Sequence, residues 1–148
     1  MSLEETINSD IKAAMLSKNE AALRALRAVK SAILLAKTSG SGGSISTDDE
    51  MKLLQKLVKQ RKESVEIFEK QGRGDLAVTE KEEIAVIEKY LPAQMNEDEI
   101  RNELKKIIAT VGATSAAETG KVMGAASKAF AGRADNKLVA AIVKELLT

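Results

Sequence analysis

Apolar residues in this chain recur at spacings of three and four, and no stretch alternates with a period of two, so the pattern predicts helices throughout. Ala22, Leu26, Val29, Ile33 and Ala36 form one stripe of coiled-coil type. Leu54, Val58, Val65 and Phe68 form another, broadened by Leu53, Leu57, Ser64 and Ile67, with Arg61 set in its middle. Ile84, Ile87 and Leu91 mark a third, and Leu138, Val139, Ile142, Val143 and Leu146 a last one. Arg24, Arg27 and Lys30 recur every three residues along the flank of the first stripe.

Capping residues divide the pattern into elements. Ser2 and Glu5 read as a capping box, in which side chain and backbone satisfy each other's orphan donors, and predict a helix to about Leu16. Asn19 can cap a second helix. Thr47-Asp48-Asp49-Glu50 reads as another box, opening the longest helix to about Gln71, where Gly72-Arg73-Gly74 ends it. Thr79-Glu80-Lys81-Glu82 predicts the start of a further helix that Pro92 stops. Asn96 caps a helix from Glu97 to about Val111, with Gly112 as its stop. Ser115-Ala116-Ala117-Glu118 leads to Phe130, a tight turn follows at Gly132, and Asp135 caps the final helix. Ser39 to Ser46, all serine and glycine apart from Ile45, reads as a flexible connector.

These elements predict an all-α protein. The alanine-rich, shorter helices after the proline divide it into an N-terminal helical bundle or hairpin domain (1–92) and a small three-helix C-terminal domain (93–148). A charged fraction of 30% beside an apolar fraction of 44% belongs to a folded chain rather than a disordered one.

Absent residue types narrow the chemistry. Without cysteine or histidine the chain has no thiol nucleophile, imidazole base, Ser-His-Asp triad or zinc finger of its own. Lack of disulfides fits a reducing compartment, and the acidic start Met1-Ser2-Leu3-Glu4-Glu5 does not read as a signal peptide. No apolar run reaches the roughly 20 residues a membrane helix needs, so no membrane role is expected and the cytoplasm is the default location.

Gly112 to Lys121 is no phosphate-binding loop: seven residues separate its glycines, and Val122 follows the lysine. Asp48-Asp49-Glu50 and Glu97-Asp98-Glu99 lie in first helical turns, where the helix dipole stabilises carboxylates, so no metal or other cofactor is expected there. Arg61 is expected to meet a carboxylate in a structural salt bridge. No catalytic residue emerges.

The binding signal lies in the last third. Lys121 stands at the start of one short helix, Arg133 at the turn and Lys137 at the start of the next, with Lys128 between. Helix amino-termini with flanking cations hold anionic backbones. From Gly120 onward five cations (these four and Lys144) face two anions, Asp135 and Glu145. Lys121, Lys128, Arg133 and Lys137 are therefore the candidate nucleic-acid-binding residues. With only Phe68, Tyr90 and Phe130 as aromatics, each assigned to the core, contact would be through backbone and shape rather than base stacking.

Four stretches carry a family resemblance: Ala25-Leu26-Arg27-Ala28-Val29-Lys30-Ser31-Ala32-Ile33, the run Leu54 to Ser64, the run Glu83 to Pro92, and Gly120-Lys121-Val122-Met123-Gly124 with Gly132-Arg133-Ala134-Asp135. In this order they resemble the YqeY family, whose members share a domain with the carboxy-terminal tail of the GatB subunit of the tRNA-dependent amidotransferase. The resemblance implies two helical domains and an association with tRNA, which the GatB tail contacts. It implies no catalysis, because the amidotransferase does its chemistry in other domains and subunits. The leading expectation is a non-catalytic tRNA- or RNA-binding accessory protein. The alternatives are a module docking on an amidotransferase or another protein, for which an exposed apolar patch around Met123 and Phe130 would speak, and an accessory component of glutamine-dependent amidotransfer. In that last case the family's label of carbon–nitrogen ligation with glutamine as amide donor would apply without an active site in this chain.

Overall fold

The computed structural model describes residues 2–39 and 43–148. The expected connector Ser39 to Ser46 falls partly outside them, at Gly40, Ser41 and Gly42. Seven α-helices run in order among the described residues: α1 (Leu3–Leu16), α2 (Glu20–Ser39), α3 (Thr47–Lys70), α4 (Gly74–Glu88), α5 (Glu97–Val111), α6 (Thr119–Ala129) and α7 (Asn136–Leu147), with a 3₁₀ turn (Ala116–Glu118) before α6. They form two units, one ending at Leu91 and one running from Pro92 to Thr148.

Several caps form as the residues dictate. Ser2 and Glu5 make the reciprocal capping box of α1. Asn19 accepts from the Ala22 N–H at 3.1 Å, Asn96 from Glu99 at 2.8 Å and Asp135 from Lys137 at 3.2 Å. Gly112 ends α5 in the left-handed region, φ 79°, which costs glycine alone nothing.

Four local expectations are corrected. The cap of α3 is Ser46, one residue before the expected Thr47, and its hydroxyl accepts from the Asp49 N–H at 3.1 Å. Ser39 belongs to α2, where its hydroxyl bonds back to the Leu35 carbonyl at 2.8 Å. Helix α4 begins at Gly74, five residues before the expected box, and Thr79 lies inside it. In its opening turn Arg73 donates two hydrogen bonds of 3.1 Å to Asp75, and Ala77 enters the interior at 1% exposure. Ser115 caps nothing; Glu118 reaches back to the Thr114 N–H at 2.9 Å, so the chain makes a 3₁₀ turn before α6.

In the first unit, Ile7 and Ala14 of α1 meet Ala25, Leu26, Val29 and Ile33 of α2, Leu54 and Val58 of α3 and Ile87 of α4. The expected partner of Arg61 is Glu83: Nε and Nη2 lie 3.4 Å from its Oε1, and Nη1 donates to the Leu57 carbonyl at 3.0 Å. The Tyr90 hydroxyl donates to Asp10, tying the turn after α4 to α1. Burial first, then the Asp10 bond and charge, push the Tyr90 phenol well above its ordinary value of 10.0.

A phenol whose pKa is raised by folding contributes stability that is full below its unfolded value and is lost as pH rises past it. Wild-type stability is therefore expected to fall above about pH 10 more steeply than that of Tyr90→Phe. The variant itself should be about 1–2 kcal/mol less stable at pH 7, because Asp10 loses a donor. Urea unfolding of both proteins across pH 8–11 checks this, and parallel curves would refute it.

In the second unit, Ile100 and Leu104 of α5, Val122 and Ala126 of α6, Phe130, and Val139, Ile142 and Val143 of α7 make a separate core. At its edge Arg101 binds Glu97 at 3.1 Å, Glu145 at 3.2 Å and Asp98 at 3.6 Å. Glu145 and then Glu97 hold its guanidinium charged even more firmly than usual.

Candidate nucleic-acid interface

Helix α6 places Lys121 in its first turn and Lys128 in its last. Seven residues is two turns, so the two ammonium groups share one flank, about 10 Å apart along the axis. Between them on that flank lies Gly124. A Cβ built there would meet nothing within 4 Å, and the same holds for Gly120. Glycine inside a helix costs about 0.5–1 kcal/mol relative to alanine, and no neighbour within the fold requires it at position 124. The flank is thus a low strip of exposed backbone bounded by two lysines. No side chain caps the start of α6.

Helix α7 repeats the arrangement. Lys137 and Lys144 are again seven residues apart, with exposed Ala141 between them, on the side opposite Val139, Ile142 and Val143. Among the described residues no carboxylate pairs with Lys121, Lys128, Lys137 or Lys144. Glu97, Asp98 and Glu145 are engaged by Arg101.

Arg133 stands apart from the other predicted cations. It is half-buried, and its Nε donates to the Ala93 carbonyl at 3.2 Å. Around it the Met95 N–H donates to the Arg133 carbonyl at 2.9 Å, and Gln94 Nε2 donates to the Gly132 carbonyl at 2.8 Å. Gly132, at φ 73°, allows the chain to reverse there. Three hydrogen bonds thus stitch residues 93–95 to the turn that introduces α7. Sequence reasoning grouped Arg133 with the lysines because it saw a cation beside a glycine. Nothing local signals an acceptor forty residues earlier.

Met123 and Phe130, named as the patch that would mark protein docking, are not such a patch. Phe130 is 5% exposed within the core and Met123 packs against it. Phe68 and Tyr90 are half-buried. A cavity of about 280 Å³ lies elsewhere, beside Ser2, Glu4, Glu5, Lys37, Ile45 and Glu50, and holds none of the predicted binding residues. Among the described residues no group of three or more acidic side chains is placed to hold a metal ion, and no helix is long and apolar enough to cross a membrane.

A family model described as Yqey-like protein matches residues 4–147. Curated relatives carry the name altered inheritance of mitochondria protein 41, mitochondrial. The one from Pyrenophora tritici-repentis is 32% identical over 148 aligned residues, spanning 95% of this chain and 78% of the relative. That from Clavispora lusitaniae is 32% identical over 117 residues, 77% of this chain and 67% of the relative. A third, from Saccharomyces cerevisiae, is 32% identical over 105 residues, 69% of this chain and 56% of the relative.

Proposed function

The chain belongs to the YqeY family, and from that premise we propose that it is a non-catalytic accessory protein that binds tRNA through its second unit. The observation that carries this reading is the strip Lys121–Gly124–Lys128, with its counterpart Lys137–Ala141–Lys144: unpaired ammonium groups at two-turn spacing flanking exposed backbone. Ammonium groups are point charges that suit phosphates without demanding a base identity. A glycine between them lets a sugar–phosphate strand approach the helix closely, as shape-based RNA recognition requires. Arg133 serves the site by holding the turn that starts α7. The resemblance to the GatB tail, which contacts tRNA, points the same way.

The relatives' names place those proteins in mitochondria. The reading asks only for a compartment that contains tRNA, and a cytoplasm or a mitochondrion satisfies it. A place in glutamine-dependent amidotransfer would be as an RNA-holding component, with the chemistry supplied by partner subunits.

Binding of purified protein to bulk tRNA at 50 and 200 mM salt, against double-stranded DNA of equal length, tests the reading. Four phosphate contacts predict a log–log salt slope near −3 and a loss of about 50-fold between the two conditions. The Lys121→Ala/Lys128→Ala/Lys137→Ala variant should reduce the slope by about 2–3. Gly124→Ala adds a methyl group in open space, so the free protein should gain about 0.5–1 kcal/mol while tRNA binding weakens. Binding that ignores salt, or survives the triple substitution unchanged, would overturn the assignment.

A further inference from the structure

The first unit carries a cationic and apolar seam that its own fold leaves uncovered. Helices α1 and α2 are antiparallel neighbours, and the Glu4–Lys37 ion pair, at 2.6 Å, bridges them along one flank. Helical spacing extends that flank. On α1 it runs through Glu4, Asn8, Lys12 and Met15; on α2 it runs back from Lys37 through Leu34, Lys30, Arg27 and Leu23. The opposite flank of the hairpin is occupied by α4, as the Asp10–Tyr90 bond and the Arg24–Glu82 pair, at 3.0 Å, establish.

On the open flank Lys12 and Arg27 are exposed and Lys30 is half-buried, and among the described residues no carboxylate pairs with any of the three. Many other cations of the unit do have partners: Arg24, Lys37, Arg61, Lys62, Lys70, Arg73 and Lys81 each meet a carboxylate. Apolar side chains flank the three cations: Met15 is 56% and Leu34 46% exposed, with Leu16 beside Met15 at 87%.

We propose that the α1–α2 seam is a docking site for an acidic amphipathic helix of a partner protein. A partner helix would lie lengthwise along this seam. The apolar residues at either end would receive its hydrophobic anchors, and Lys12, Arg27 and Lys30 its carboxylates. From Met15 to Leu34 the seam accommodates roughly two turns of helix. Exposed apolar side chains at both ends favour a protein helix over RNA, for which the cations alone would suffice.

The probe is a capped synthetic helical peptide of about 14 residues, with leucines at spacings of three and four flanked by glutamates. It is compared with a version in which lysine replaces every glutamate. Titrated into isotope-labelled full-length protein, the acidic peptide should shift the amide resonances of Lys12, Met15, Arg27, Lys30 and Leu34. The Lys12→Glu/Arg27→Glu variant changes only exposed side chains. It should bind the acidic peptide at least about tenfold more weakly and the lysine version more tightly than wild type does. No binding of the acidic peptide, shifts confined to other surfaces, or equal binding of both peptides would overturn the proposal. So would tRNA or anionic phosphatidylglycerol vesicles shifting these resonances where the peptide does not, which would assign the seam to nucleic acid or lipid.

Discussion

Arg61→Ala is expected to lower the unfolding free energy by about 2–3 kcal/mol without changing the urea m-value. The side chains of Arg61 and Glu83 are only 15% and 13% exposed, so truncating the arginine leaves a carboxylate largely shielded from water with no cation to offset its desolvation. The guanidinium also satisfies the Leu57 carbonyl at 3.0 Å, and that bond is lost too. The cost lies in the orphaned charge rather than in the absent attraction. Removing both partners in Arg61→Met/Glu83→Leu should therefore restore stability to within about 1 kcal/mol of wild type. A single-variant loss under about 0.5 kcal/mol would mean that solvent screens this pair as it screens Lys70–Glu66, whose side chains are 74% and 68% exposed.

Leu104→Ala should be the more damaging substitution for the second unit, at about 3 kcal/mol. Leu104 is fully buried between the faces of α5, α6 and α7, and a unit of this size has few other large side chains with which to refill the space. The effect should be local in hydrogen exchange: amides of α5, α6 and α7 exchange faster, while those of α1 to α4 keep their wild-type protection. It should also weaken tRNA binding although Leu104 touches no ligand, because Val122 and Val139 hold the lysine-bearing helices against the same core. Uniform loss of protection along the chain would show instead that the two cores unfold together.

Lys121, Lys128 and Lys137 were legible in the sequence as candidate cations near helix ends, whereas the pairing of Lys137 with Lys144 was not drawn from it. Lys121, Lys128, Lys137 and Lys144 lie at two-turn spacings, and helix periodicity alone puts each pair on one flank. Their lack of partners was not legible. Nor was it legible that Arg101 gathers Glu97, Asp98 and Glu145, two from its own helix and one from α7. The docking patch imagined at Met123 and Phe130 fails for a related reason. A three-helix unit with few aromatics needs its phenylalanine inside, and apolar character in a short helix does not reveal which apolar residues remain outside.

What the chain determined by itself is the set of interactions that close within a few residues. The capping box of Ser2 and Glu5, the caps at Asn19, Asn96 and Asp135, and the stop at Gly112 each depend on one residue and the next turn of backbone. Helical class and the principal apolar stripes follow from the same short-range periodicity. Tertiary structure decided the rest. Thr79 has a cap's sequence yet lies inside α4, where Ala77, two residues before it, is buried in the fold. Arg61 required a carboxylate, and only folding chose Glu83, twenty-two residues away. Only folding brought the Ala93 carbonyl to Arg133, and Lys12 joined Arg27 and Lys30 only when α1 and α2 paired. A side chain's local preference is worth about 1 kcal/mol, whereas burying a neighbour or satisfying a charge is worth several. Where the two conflict, packing wins.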